Sequence, residues 1–466
     1  MYHLEHDTHA DIERPIILSN TWATSSTPPP LPDEILYEVL DHLILNDSKD
    51  VIKPCSVVCR RWCNHVTPHL FRRLSWPPCY NTWFRIFSDH VPPGFTGGWY
   101  TCDCEVNATL EVLREHLAAS HRVRTAVREF RIGARCFWGD GPPFELATLR
   151  ATIELLPSLD ALRLKDLGYA PAITEVLPLF PSRTLTELTI ADDTRWPAEA
   201  LLGLFASVER VVLTSFDVAY DPPLHRSSAY IMTSVHTLFV SFLEKDGYAG
   251  WTGLDNTHCT TFTAHVAPAS VRKLVMCNPP ARHLDELVHP WPALRSYAYT
   301  VGAHTPRLAP EAARTLSSLA LGVRLAQFED YGEERSVEEW LGEGWDALLR
   351  DLRETNAPEI RKLTVVFILG SDAARNSLAN FKDALASKGW QSLEDILCRR
   401  FSRLHKLQIR VGAYASATLR EEVLNQWGDG VGEVSRSVLS TTAAAMLEGG
   451  GLSWKFTSKS LASLWL

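Results

Sequence analysis

The chain has 466 residues, 45% hydrophobic and 22% charged, with a formal net charge of −9 and a sequence pI near 6.0. That length exceeds one compact core and that composition is globular, so two domains or a repeat array are expected. The acidic balance argues against nonspecific nucleic-acid binding, which needs a basic footprint.

In chain order, residues 1–30 read as a disordered tail that ends in a run of three prolines. Its charged, polar start, MYHLEHDTHADIERP, lacks the pattern of a signal peptide. The strongest apolar run, Val365–Leu369, has strand length, so no membrane span is expected and the cytoplasm or nucleus is the expected location. Leu31-Pro32-Asp33-Glu34 is a helix start, with proline in the first turn and carboxylates at the positive end of the helix dipole. Ile35, Leu36, Val39, Leu40 and Leu43 then form one helical stripe. After a polar break at Asn46–Asp50, Pro54 sits early in a second predicted helix whose Cys55, Val58, Cys59 and Trp62 share one side. Thr67-Pro68 has the form of a cap and first-turn proline for a short third helix carrying Leu70 and Phe71. A helical unit this small cannot bury its own apolar side, which makes its chemistry docking.

The order and types of these residues resemble the F-box, in the form common in fungal proteins. The resemblance implies binding to the Skp-type adaptor of a cullin–RING ubiquitin ligase. Carried over, it puts Leu31, Pro32, Ile35, Leu36, Val39 and Leu40 at the adaptor surface, with Val57, Val58 and Trp62 as additions. The alternative is a helical hairpin that only caps its own domain.

From Phe71 onward an apolar-x-x-apolar-x-apolar pattern recurs. It runs Phe71/Leu74/Trp76, Val127/Phe130/Ile132, Leu159/Leu162/Leu164, Leu185/Leu188/Ile190, Val208/Val211/Leu213 and Val235/Leu238/Val240. It continues as Val271/Leu274/Met276, Leu294/Tyr297/Tyr299, Leu316/Leu319/Leu321, Ile360/Leu363/Val365 and Leu404/Leu407/Ile409. Most spacings between Leu159 and Leu316 fall in the ~20–29-residue period of leucine-rich repeats, which the pattern resembles. Each unit predicts a short strand with one face inward, and stacked units share one core. The usual Asn or Cys after the strand is missing; Leu167, Asp193, Phe216, Leu243, Pro279 and Gly302 stand there, so an irregular array is expected. The two long late gaps hold helical stripes, Val337–Leu352 and Leu378–Leu397.

The expected fold is therefore α/β: a three-helix F-box and an irregular leucine-rich-repeat-like solenoid of short parallel strands, or a mixed α/β domain without solenoid closure. The expected layout is a tail over 1–30, the F-box over 31–76, a linker and first irregular repeat over 77–126, repeats over 127–413, and a C-terminal helix or cap over 414–466.

Strand residues alternating with the core face the other way, and Arg131, Arg163, Arg210 and Lys273 among them predict a basic target-binding face, with Phe239 as an apolar contact. Such a face suits an acidic or phosphorylated segment. Ten cysteines lack a disulfide rhythm, and Cys102-x-Cys104 with Cys79 lacks a second pair at zinc spacing, so free thiols and no metal are expected. The chain has no GxSxG turn, phosphate loop or HExxH helix, and His283 and His289 are six apart, which does not make a zinc pair. No cofactor and no catalysis are expected; the expected role is a ligase substrate receptor binding the Skp-type adaptor, through it cullin, and an unidentified target protein. The alternative is a scaffold without ubiquitin transfer.

Overall fold

The structure, a computed structural model, describes residues 35, 37–41, 52–76, 106–133, 143–144, 146–165, 168–169, 183–191, 201–216, 233–242, 266–277, 291–302, 308–324, 337–369, 387–413 and 453–457. The chain divides into two compact units, Met1–Val66 and Thr67–Leu466.

In the first unit, helix α1 includes residues 35 and 37–41. Pro54 then opens a short 3-10 turn over Lys53–Val57, and α2 runs over Arg60–Phe71. The sequence predicts a second helix with Pro54 early in it and a third capped at Thr67-Pro68. Instead the regular helix begins at Arg60, and Pro68 sits inside it, where its missing N–H deprives the Asn64 carbonyl of its helical donor. Leu40, Ile52, Cys55 and Val66 are buried.

The second unit is organised by one sheet of twelve strands. These are β1 (Arg73–Trp76), β2 (Glu129–Gly133), β3 (Ala161–Lys165), β4 (Thr184–Ala191), β5 (Ser207–Phe216) and β6 (Ser234–Phe242), followed by β7 (Lys273–Cys277), β8 (Ser296–Thr300), β9 (Ser318–Arg324), β10 (Lys362–Leu369), β11 (Lys406–Ala413) and β12 (Ser453–Thr457). Each strand pairs in parallel with its neighbours in sequence, so spatial order equals chain order. Parallel neighbours need a crossover between them, as stacked repeats provide.

The recurring sequence pattern sets the register. Leu74, Phe130, Leu162, Leu188, Val211, Leu238, Leu274, Tyr297, Leu319, Leu363 and Leu407 stand side by side across the sheet. From Val127 to Ile409, every triplet residue of the pattern is buried, and all belong to one continuous core. The first triplet is looser: Leu74 and Trp76 are half-buried and Phe71 is exposed. Sharing a core in this way lets units too small to fold alone hold together.

Helices fill the core side: α3 (Val106–Ala119), α4 (His121–Ala126), α5 (Leu146–Glu154), α6 (Pro310–Thr315), α7 (Val337–Glu354) and α8 (Trp390–Arg400). The late stripe on α7 buries Leu341, Trp345, Leu348, Leu349 and Leu352, while Glu338, Glu339 and Glu343 are exposed. Gly344 lets α7 approach β9, because a Cβ there would lie 2.5 Å from Val323 Cγ1. Trp345 meets Trp390 of α8 edge-on at 4.9 Å. Tyr299 of β8 donates its hydroxyl to the fully buried carboxylate of Asp351 at 3.0 Å. Burial first, and then Asp351, raise the Tyr299 pKa well above its usual value.

The result is a mixed α/β fold with an N-terminal helical region and a long parallel sheet of stacked repeats. Leu31, Pro32, Leu36, residues 1–30, Cys79, Cys102, Cys104, the stripe residues Leu378, Phe381 and Leu385 and the helix expected at 419–427 lie outside the described residues. The sequence reading assigned no strand after residue 413; β12 pairs there with β11.

Candidate functional site

Two surfaces carry chemistry, one in each unit. On the helical unit, Ile35 and Val39 lie one helical turn apart on α1 and are 46% and 50% exposed. Val57 ends the 3-10 turn, Val58 follows it, and they are 84% and 59% exposed. Among the described residues the other exposed large hydrophobics are Phe71 and Val112. Trp62 is half-buried on α2. Leu40, which the α1 stripe also nominated, is buried: its place on the helix turns it inward, so it supports the surface without lining it.

This unit is pinned from within. His65 of α2 stacks on Tyr37 of α1 at 4.5 Å and lies 2.9 Å from Asp41 Oδ1. Tyr37 and Asp41 are four apart, so one face of α1 presents both to the same imidazole. That clasp fixes the direction in which Ile35 and Val39 stand.

On the repeat sheet, the face opposite the core begins as an ion-pair ladder. Glu129 lies 2.9 Å from Arg73, 2.6 Å from Arg131 and 2.9 Å from Arg163. Arg163 reaches on to Glu187 at 3.1 Å, and Arg210 reaches Glu187 at 3.2 Å. Register explains the pattern, since Arg73, Glu129, Ala161, Glu187 and Arg210 are lateral neighbours on β1–β5. Three of the four basic residues nominated from sequence, Arg131, Arg163 and Arg210, thus face carboxylates of the same sheet. Phe239 is 1% exposed, packed with Val212, Val275, Cys277, Ala298, Val366 and Ile368 in a second apolar cluster on this face, so it has almost no surface to offer a ligand.

Lys273 stands differently. Burial lowers its pKa, and the charges of Arg210, Lys362 and Arg410 lower it further. Among the described residues no cluster of three or more His, Cys, Asp or Glu side chains is placed to hold a metal ion, and no helix is long and apolar enough to cross a membrane. Cys55, Cys59, Cys63, Cys277 and Cys398 are unbridged.

Residues 30–75 match the F-box-like family, and the chain carries an F-box-like domain there. That domain points to a protein-interaction adaptor. No curated protein matches the chain. Among solved structures the chain is similar to the crystal structure of a protein from Bacteroides fragilis, 10% identical over 67% of each chain with a TM-score of 0.27.

Proposed function

We propose that this chain is the substrate-recognition subunit of a Skp–cullin–F-box ubiquitin ligase, acting in the cytoplasm or nucleus. The F-box, taken as residues 31–76, binds the Skp-type adaptor, and through it cullin, using Leu31, Pro32, Ile35, Leu36, Val39, Val57, Val58 and Trp62. The repeats, taken as 127–413, hold a target protein. The chain itself performs no chemistry, because the adaptor, cullin and RING subunits carry the ligase assembly.

The observation that carries this reading is the coincidence of the F-box-like match with the exposed Ile35, Val39, Val57 and Val58. F-box domains generally bind Skp-type adaptors. Fully burying an exposed apolar side chain of this size contributes about 1.5–3 kcal/mol, and the parts of these four that still face water would add a share of that on docking.

Co-purification of the full chain with a Skp-type adaptor tests the reading, beside a Leu31→Ala/Pro32→Ala variant. Binding that the variant loses is expected; a folded chain that never holds the adaptor would overturn it. Turnover of a trapped target that depends on the same residues separates a receptor from a scaffold without ubiquitin transfer.

A further inference from the structure

The 3-10 turn Lys53–Val57 carries the exposed Val57, leads into Val58, and holds a hydroxyl between them and the small interior. Ser56 is partly exposed, and its Oγ donates to the Lys53 carbonyl at 2.7 Å, within the same turn. Among the described residues that bond ties the hydroxyl to no second element.

The turn is weakly held. Bonds of the 3-10 type have poorer geometry than helical ones, and the Val58 amide reaches the Cys55 carbonyl only at 3.4 Å. Among the described residues of this unit the buried hydrophobics are Leu40, Ile52, Cys55 and Val66. Opening the turn therefore uncovers little beyond Cys55 and Ile52, which makes it a low-cost local opening. An opened turn offers Ser56 on an extended segment, the form in which protein kinases take a substrate.

Charge favours the same reaction. From Val51 to Arg73 the sequence has no Asp or Glu. Lys53 stands three residues before Ser56 and Arg60 four after it, and both are exposed. Kinases sort substrates by charge pattern, and a cation three residues ahead of the hydroxyl suits the acidic groove of a basophilic kinase. The same cations stabilise a phosphate once it is in place. A basic flank alone does not decide. Ser402 follows Arg399 and Arg400 and is exposed, but Phe401 between them is 1% exposed in the main core. Extending the chain there would pull that ring into water.

We propose that Ser56 is a phosphorylation site for a basophilic serine/threonine kinase, and that its phosphate switches adaptor docking off. The Ser56 Oγ attacks the γ-phosphorus of ATP. The Oγ–P bond forms, the bond from the γ-phosphorus to its bridging oxygen breaks, ADP leaves, and the hydroxyl proton passes to the kinase's base. Phosphoserine carries about −1.5 to −2 charge near neutral pH. Beside Val57 and Val58 that charge must lose water whenever a partner covers the apolar face. Modification and docking therefore exclude each other, and a bound adaptor shields Ser56. The switch rests on the receptor reading above; the modification site does not.

The test treats the full chain with a basophilic kinase and magnesium ATP, alone and in preformed complex with a Skp-type adaptor. Peptide mass spectrometry locates the phosphate, and calorimetry reads adaptor affinity before and after treatment. Phosphate is expected on Ser56 of the free chain and not of the complex. The modified chain is expected to bind the adaptor about tenfold or more weakly. Ser56→Ala is expected to bind the adaptor normally and to keep that affinity after treatment. Should Ser56→Ala fail to fold, the wild-type chain alone still decides, since its phosphate and its affinity are both read directly. Three results would overturn the proposal: no phosphate on Ser56, phosphate confined to Ser402, or undiminished adaptor binding by chain phosphorylated at Ser56. An equal loss of binding in treated Ser56→Ala would overturn it too. Phosphate on Ser56 of a chain that never holds the adaptor would keep the modification site and sink the switch together with the receptor reading.

Discussion

Val57 and Val58 stand in water in the helical unit, whereas from Val127 to Ile409 each apolar residue of the repeat pattern is buried in a common core. The two units meet the same physical demand differently. The repeats satisfy one another, since each strand's inward side chains are covered by neighbours and by α3–α8. The helical unit closes a small interior around Leu40, Ile52, Cys55 and Val66 and leaves four aliphatic side chains over. A substitution in the array should therefore cost folding, and a substitution on the exposed helical face should cost binding.

The sharpest way to break that distinction is Phe130→Ala. Phe130 is fully buried between the register positions of β1 and β3. Its truncation is expected to destabilise the array by about 3–5 kcal/mol in chemical denaturation. A loss near zero would mean that the array does not share one core.

Smaller is the polar tie between sheet and α7. Tyr299→Phe removes one donor to the buried Asp351 carboxylate, which also lies 3.2 Å from Arg350. The expected cost is about 1–3 kcal/mol, read as a lower denaturation midpoint with an unchanged slope.

Smaller still is the ladder. Glu129→Gln keeps the shape and removes the charge that Arg73, Arg131 and Arg163 share. Because Arg73 and Arg163 are well exposed, solvent screening limits the loss to about 1 kcal/mol. Denaturation at low and high salt checks this, since the difference between wild type and variant should shrink as salt rises.

The repeat architecture was legible because the apolar triplet carries both the strand's two-residue alternation and the position of its neighbour in the stack. Val208/Val211/Leu213 and Leu404/Leu407/Ile409 look alike in sequence and occupy equivalent places in the core. The α7 stripe was legible for the same reason, with a period of 3.6 in place of two. What alternation cannot tell is which side chains on the opposite face satisfy each other. Arg163 meets Glu129 and Glu187 only because three strands lie in register, and those residues are tens of positions apart in the chain. Phe239 lies on the expected face yet is buried there by lateral neighbours such as Val212 and Val275.

In the helical unit, the stripe Ile35/Val39 was readable, but Leu40 shares its helix and differs in burial. Helical spacing resolves a face to about 100°, which does not separate the two.

The most direct measurement is the affinity of the full chain for a Skp-type adaptor by calorimetry, wild type against Val57→Asp/Val58→Asp, with thermal denaturation of both proteins alongside. The expected result is a loss of about 100-fold or more in adaptor affinity, as for central interface contacts, with an unchanged melting temperature. Unaltered adaptor binding by the variant, or a collapse of its folding in step with the lost binding, would contradict the assignment of this exposed face to docking.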